Sequence, residues 1–275
     1  MKCVLFTTTI LTSKSIDFLT RLHESVRHNS EIGTFNIVHV LLIQNPDQLA
    51  IPNLEETSRY KLLIKQTSTK HSLSDARNKM LQTATTNELI SPEDIVAFPD
   101  DDCWYPGKSL YSIYSVFEKY ASIGLLFCKY RSCDHESLDN VQLRIHKASG
   151  KDVVRNASSN TIFIRGGIVN GIGSFDENLG VGAIHNGGED LDYALRAYHE
   201  SEDVLFLDKY IIGHRDKIKT LMASYYRGSA IVLFRNMFMS GGLFLEAVRK
   251  FMIGCFYVLK GDMHIKEIWT AIRAR

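Results

Sequence analysis

The sequence predicts an α/β fold: a mostly parallel sheet flanked by helices, followed by a C-terminal amphipathic helical extension. Three observations predict it. Short apolar, β-branched runs alternate with helical patterns over the first two hundred residues, as strands buried on both faces do. The conspicuous polar residues fall just after those runs, where ligands bind in open α/β sheets. Beyond about residue 215 the texture becomes apolar and basic.

Cys3 to Phe6 is a continuous apolar run and predicts a first buried strand, followed by an amphipathic helix over Ser15 to His28. Ile37 to Ile43 predicts a second strand and Tyr60 to Ile64 a shorter third. Ser72 followed by Asp75 resembles a capping box, so a helix starts there. Ile95 to Phe98 predicts the next strand, and Leu191, Ala194, Leu195 and Tyr198 fall at helical spacing. The apolar run around Tyr210 to Ile212 is strand-like. From Lys217 to Arg275 ten basic residues, Lys219 among them, face only Glu246, Asp262 and Glu267, and Gly241-Gly242 interrupts the segment. This predicts two or three amphipathic helices, and a division into residues 1–215 and an extension over 216–275.

At 275 residues, 45% hydrophobic and 23% charged, the chain has ordinary globular composition. A net charge of +1 argues against a dedicated nucleic-acid binder, which carries a basic excess. Five cysteines (Cys3, Cys103, Cys128, Cys133 and Cys255) form no CxxC pair, which fits a reducing, cytoplasmic compartment without a disulfide framework or zinc site. The N-terminal apolar run is too short for a signal peptide, and no stretch approaches the roughly 18 apolar residues of a membrane span. The sequon Asn156-Ala157-Ser158 is read as a chance occurrence.

The sharpest chemical feature is Asp100-Asp101-Asp102 after the Ile95 to Phe98 run, with Trp104 and Pro106 fixing the turn that follows. In extended chain Asp100 and Asp102 point the same way, about 6.5 Å apart. Carboxylates some 4 Å apart repel by up to about 4 kcal/mol at an effective dielectric of 20, so such a group is solvated, partly protonated or neutralised by a cation. Hard oxygen ligands suit Mg²⁺ or Mn²⁺. The alternative is a solvated acidic turn. In Gly187-Gly188-Glu189-Asp190, the acids sit at a helix start, where the dipole keeps an aspartate ionised and able to act as a general base. The glycines permit close approach of backbone to substrate. Here the alternative is an ordinary glycine turn with an acidic first helical turn. Arg77, near the helix start at Ser72, is a candidate for phosphate or a base edge. His214, at a strand exit, is a candidate third metal ligand or a local hydrogen-bonding group, and His185 a weaker candidate for phosphate or acceptor.

Taken in order, Ser74-Asp75-Ala76-Arg77-Asn78, the Asp100-Asp101-Asp102 segment with Trp104 and Pro106, Gly173-Ser174-Phe175-Asp176-Glu177, and Gly188-Glu189-Asp190 with Arg196 resemble inverting glycosyltransferase family two. The resemblance covers roughly residues 1–215 and implies the Rossmann-like GT-A fold. It implies that Asp100 contacts the nucleotide, with Asp101 beside it, that Asp102 holds Mn²⁺ or Mg²⁺, and that Arg77 helps bind the nucleotide. Asp190 would be the general base, and Glu189 would orient the acceptor or Asp190, with Trp104 and Gly188 on the acceptor side. Two departures stand out: Thr7-Thr8-Thr9 replaces the usual proline-threonine turn, and Gln44-Asn45 replaces acidic base readers. Thr8 and Gln44 are then the nucleotide-side candidates, with a UDP-sugar as the default donor. Tyr225-Tyr226-Arg227-Gly228 and the basic tail resemble extensions of members acting at the cytoplasmic face on lipid-linked glycan acceptors, which implies peripheral membrane contact. The implied setting is bacterial O-antigen or capsule synthesis. A non-catalytic nucleotide-sugar or glycan-binding protein of the same fold is the alternative. A nucleotidyltransferase would need a glycine-rich, arginine-lysine signature after the first strand and a phosphohydrolase an aspartate pair, and Thr7-Thr8-Thr9-Ile10-Leu11 offers neither.

Overall fold

A computed structural model describes residues 1–132, 144–215 and 223–274. Cys133, Lys217, Lys219 and Arg275, which figure in the sequence reading, lie outside the described residues. Strand β1 (Cys3–Ile10) pairs in parallel with β2 (Ile37–Gln44) and with β4 (Ile95–Ala97), and β2 with β3 (Tyr60–Thr67). β1 runs four residues beyond the expected Phe6 because the threonines are themselves β-branched and pair in register with Leu41 to Ile43. Helix α1 (Ser13–Ile32) begins earlier than expected, where Thr12 and Ser15 form a capping box. Helix α2 (Leu73–Thr86) starts at the predicted cap, Ser72.

Four further strands complete an eight-stranded sheet of order β3-β2-β1-β4-β7-β5-β8-β6. These are β5 (Ile123–Arg131), β6 (Ile145–Lys147), β7 (Ile162–Arg165) and β8 (Asp203–Gly213). β7 is wedged antiparallel between β4 and β5, and β6 is antiparallel on β8, so four of the seven pairings are parallel. Alternate β1 residues divide two cores. Cys3 and Leu5 pack with α1 and α3 (Ser109–Lys119), whereas Val4 and Phe6 pack with α2 and α6 (Glu189–Glu200). Two short helices, α4 (Gly150–Asn156) and α5 (Gly166–Ile172), flank β7.

The tail forms three helices, α7 (Tyr226–Asn236), α8 (Gly241–Lys260) and α9 (Ile265–Arg273). Gly241-Gly242 does not break a helix but opens α8 behind the Ser240 cap. Ala230 to Phe234 of α7 are buried in the same apolar cluster as α2 and α6. α8, by contrast, leaves Leu245, Val248, Met252, Phe256 and Leu259 exposed. Among the described residues no helix is long and apolar enough to cross a membrane.

Candidate active site

The acidic turn follows β4 at its carboxyl end. Its anchor is Phe98, fully buried and ringed by Phe6, Phe175 and Tyr193 at centroid distances of 5.5, 5.0 and 5.4 Å. Beyond it the three aspartates diverge. Asp101 turns to the Thr9 hydroxyl, while Asp100 and Asp102 face His214. Donor oxygens and nitrogen of Asp100, Asp102 and His214 all lie within 4.8 Å of one another.

His214 reaches this place through a backbone staple. Trp104 and Gly213 exchange both hydrogen bonds, at 3.0 and 2.9 Å, which clips the end of β8 to the acidic turn. Gly213 is required there: a Cβ would lie 2.0 Å from the Trp104 indole. Arg21 stacks on the indole, 3.8 Å from its centroid, and donates to the Asp102 carbonyl at 3.0 Å. Trp104 is therefore 7% exposed and braces the turn, with little ring surface left for an acceptor.

Nε2 of His214 lies 3.1 Å from Asp102, and Nδ1 lies 2.8 Å from the Arg215 carbonyl. Both ring nitrogens thus face oxygen acceptors. Burial lowers the affinity of His214 for its proton, but the Asp102 hydrogen bond and charge outweigh it and raise the pKa. Asp102 is buried, which pushes it up, yet His214 and Arg215, the latter at 2.5 Å, bring it below the usual carboxylate range. Asp101 is pushed up to about 6 by burial, partly offset by Thr9. Asp100 is raised by its recessed position and by Asp190 and Asp102, against the pull of Arg77 and His214.

Arg77 links this group to Asp190. It is 2% exposed and donates to Asp190 at 2.7 Å and to Asp100 at 3.3 Å. Burial works against its charge, and the two carboxylates more than restore it. The guanidinium expected on the nucleotide is therefore committed to two carboxylates. Asp190 sits in the first turn of α6, as the sequence predicts, and its second oxygen accepts from the Ser159 amide at 2.9 Å. Ser159 and Asn160 also donate to Asp100, at 2.9 and 3.1 Å. These two and Arg215 are the site residues that sequence reasoning missed; the polar Ser158-Ser159-Asn160 run before an apolar strand was the available signal. Glu189 is buried beside Asp190, and burial followed by the Asp190 charge raises it to about 8.

Gly188 has φ +91, and a Cβ there would sit 2.5 Å from the backbone of Gly228 in α7. The close approach that the structure shows is between α6 and α7. Thr8 and Gln44 meet at the ends of β1 and β2, where Gln44 donates to Thr8 at 2.9 Å and accepts from the His71 amide at 2.7 Å. Gln44 is 2% exposed, so it braces this corner. His185 stands apart with Arg227, Arg235, Asp176 and Glu267 as its charged neighbours, and burial lowers its pKa.

Two carboxylates and an imidazole are a donor set that a divalent cation of the Mg²⁺ or Mn²⁺ kind accepts. Ligands at about 2.1 Å around such an ion are at most roughly 4.2 Å apart, so the three groups need close by only a little. The residues fit.

Fold and site together define an α/β protein with an acidic, cation-compatible cluster at the carboxyl ends of its strands. Within that class the chain is similar to S. aureus TarS. Against TarS 1–349 the TM-score is 0.60 at 16% identity, covering 92% of this chain and 69% of that one. Against the complex of TarS 1–349 with UDP-GlcNAc it is 0.60 at 16% identity, over 94% and 72%. Against a longer TarS structure it is 0.61, and the chain spans 42% of that protein. At this identity the likeness shows the fold alone. No protein-family model matches the chain, and no curated protein matches it in sequence.

Proposed function

We propose that this protein is an inverting, divalent-metal-dependent glycosyltransferase that moves a sugar from a nucleoside-diphosphate sugar to a hydroxyl of a glycan. The observation that carries the reading is the convergence of Asp100, Asp102 and His214 with Asp190 tethered beside them through Arg77. That TarS, similar in fold, was solved with UDP-GlcNAc and with UDP supports UDP-sugars as the first donors to test.

Asp100, Asp102 and His214 would hold Mg²⁺ or Mn²⁺, which when bound offsets the charge that develops on the departing diphosphate. To act as a ligand His214 gives up its Nε2 proton, and Asp102 exchanges its contact with Arg215. Asp101, Thr8 and Gln44 shape the nucleotide side at the ends of β4, β1 and β2. Asp190 accepts one hydrogen bond on each oxygen, from Arg77 and from the Ser159 amide, and is held aimed by the two. It takes the acceptor hydroxyl proton as that oxygen bonds the anomeric carbon. The bond from that carbon to the diphosphate oxygen breaks on the opposite side, which inverts the configuration. Glu189, raised to about 8 by burial and then by the Asp190 charge, holds its proton more readily than an exposed glutamate and sits beside Asp190 at the helix start.

The acceptor class is a lipid-linked precursor of a bacterial surface polysaccharide, met at a membrane surface. The exposed apolar stripe of α8, flanked by Arg249 and Lys260, supports that contact. Donor turnover tests the catalytic assignment. In release of UDP from UDP-GlcNAc, with water taking the acceptor's place, Asp190→Asn is expected to lose ~10²–10⁴-fold in turnover and to keep donor affinity. Unchanged turnover would remove Asp190 as the base.

A further inference from the structure

Beneath the acidic turn a file of buried polar groups crosses the sheet, and none of them belongs to the site. Thr7, His39, Tyr60 and His23 are 1%, 0%, 0% and 4% exposed. Thr7 Oγ1 lies 2.9 Å from the Pro99 carbonyl, and His39 Nε2 lies 2.9 Å from that same hydroxyl. His39 Nδ1 and His23 Nδ1 lie 3.0 and 3.1 Å from the Tyr60 hydroxyl. At the far end the Glu55 amide points at His23 Nε2, 3.1 Å away.

We propose that this file is a one-directional hydrogen-bond chain that positions the acidic turn, with His39 and Tyr60 as positioning residues and each histidine fixed in a single neutral tautomer. The direction follows from the ends. An amide N–H only donates, so His23 Nε2 carries no proton and Nδ1 does. Nδ1–H donates to the Tyr60 oxygen, which spends its one proton on His39 Nδ1. Nε2–H of His39 therefore donates to the Thr7 oxygen, and Thr7 donates to Pro99. A carbonyl only accepts, so the other end demands the same order independently. Reversing any one link would leave two protons or none between a buried pair.

The chain ends on a peptide group held from both sides. The Pro99 carbonyl accepts from Thr7, and the amide of Asp100 on the same peptide plane donates to Asn160 Oδ1 at 2.8 Å. With both groups fixed, the plane cannot rotate, and the direction in which Asp100 leaves the backbone is set. The proposed value of that direction to the reaction rests on the function above; the tautomers and the fixed peptide plane do not.

Two measurements on the 275-residue chain test this. Long-range proton–nitrogen spectra of ¹⁵N-histidine protein at pH 7 are expected to show His39 protonated at Nε2 and His23 at Nδ1. The opposite tautomer at either residue overturns the chain. Hydrogen exchange at the Asp100 amide, referenced to the core amide of Ile113, then reads the turn. Thr7→Val is expected to speed Asp100 exchange at least about tenfold relative to Ile113, while Thr7→Ser restores the wild-type ratio. Should Thr7→Val not fold, Tyr60→Phe serves, since it breaks the chain two links away and is expected to change both histidine tautomer populations. An Asp100 ratio unchanged in the breaking variant overturns the positioning role. Failure of UDP-sugar turnover with these results intact would fault the function and not the chain.

Discussion

Arg77 occupies a position where only an arginine serves. Its two arms reach Asp100 on the β4 turn and Asp190 on α6, and its face lies 5.2 Å from the Phe175 ring. Asn78 clamps Phe175 from both sides of its backbone, and Arg196 donates to the Ile172 and Ser174 carbonyls, so the loop carrying Phe175 is held at several points. Glu189 beside this group is the strained member. Raised from 4.5 to about 8, it stays protonated in the fold, so its contribution to stability is present below about pH 4.5 and is lost as the pH rises through about 8. Glu189→Gln keeps the shape and removes that loss. It is expected to flatten the stability profile between pH 5 and 8 and to stabilise at pH 7 by up to about 3 kcal/mol, read by chemical denaturation. A parallel profile in the variant would mean that Glu189 is ionised in the fold. At this scale the sequence offered Asp100, Asp102, Asp190 and His214 as candidates, because carboxylates at a strand end and a helix start, and an imidazole at a strand exit, advertise their chemistry. It could not show Ser159, Asn160 or Arg215. Their roles depend on which side of the sheet β7 and β8 enter, and a hydroxyl or amide in a polar run looks like any loop.

At the scale of elements, the site is assembled where β4, β8 and α6 converge, and glycines set how closely they do so. Gly213 admits the Trp104 indole, and Gly188 admits Gly228. Gly188→Ala would combine a left-handed backbone with a Cβ 2.5 Å from the α7 backbone, and is expected to cost at least about 2 kcal/mol. Gly241→Ala, where a Cβ meets nothing within 4 Å, is the control and is expected to be near neutral. Equal thermal midpoints for the two variants would show that the α6–α7 contact is not tight in solution. The parallel half of the sheet was legible because both faces of β1, β2 and β4 are covered, which makes their sequences continuously apolar. The edge strand β6 was not: Ile145-His146-Lys147 is largely exposed and holds a single apolar residue, so it carries no apolar run.

For the whole molecule, the tail divides its work. α7 completes the core, whereas α8 presents Leu245, Met252 and Leu259 at 68%, 60% and 88% exposure. A face of that kind beside basic residues is expected to carry the protein onto anionic vesicles in flotation at low salt. The combined Leu245→Glu, Met252→Glu and Leu259→Glu variant is expected to stay in solution with its fold intact. Wild-type protein that fails to float would leave α8 to another partner.

The central claim is a nucleotide site that depends on a divalent cation at Asp100, Asp102 and His214. Calorimetric titration of UDP, GDP, CDP and dTDP into the folded protein, with Mn²⁺ and then with EDTA, tests it most directly. One nucleotide, UDP first among them, is expected to bind with Mn²⁺, and EDTA to abolish the binding. Binding of equal strength in EDTA, or no binding of any of the four, would contradict it.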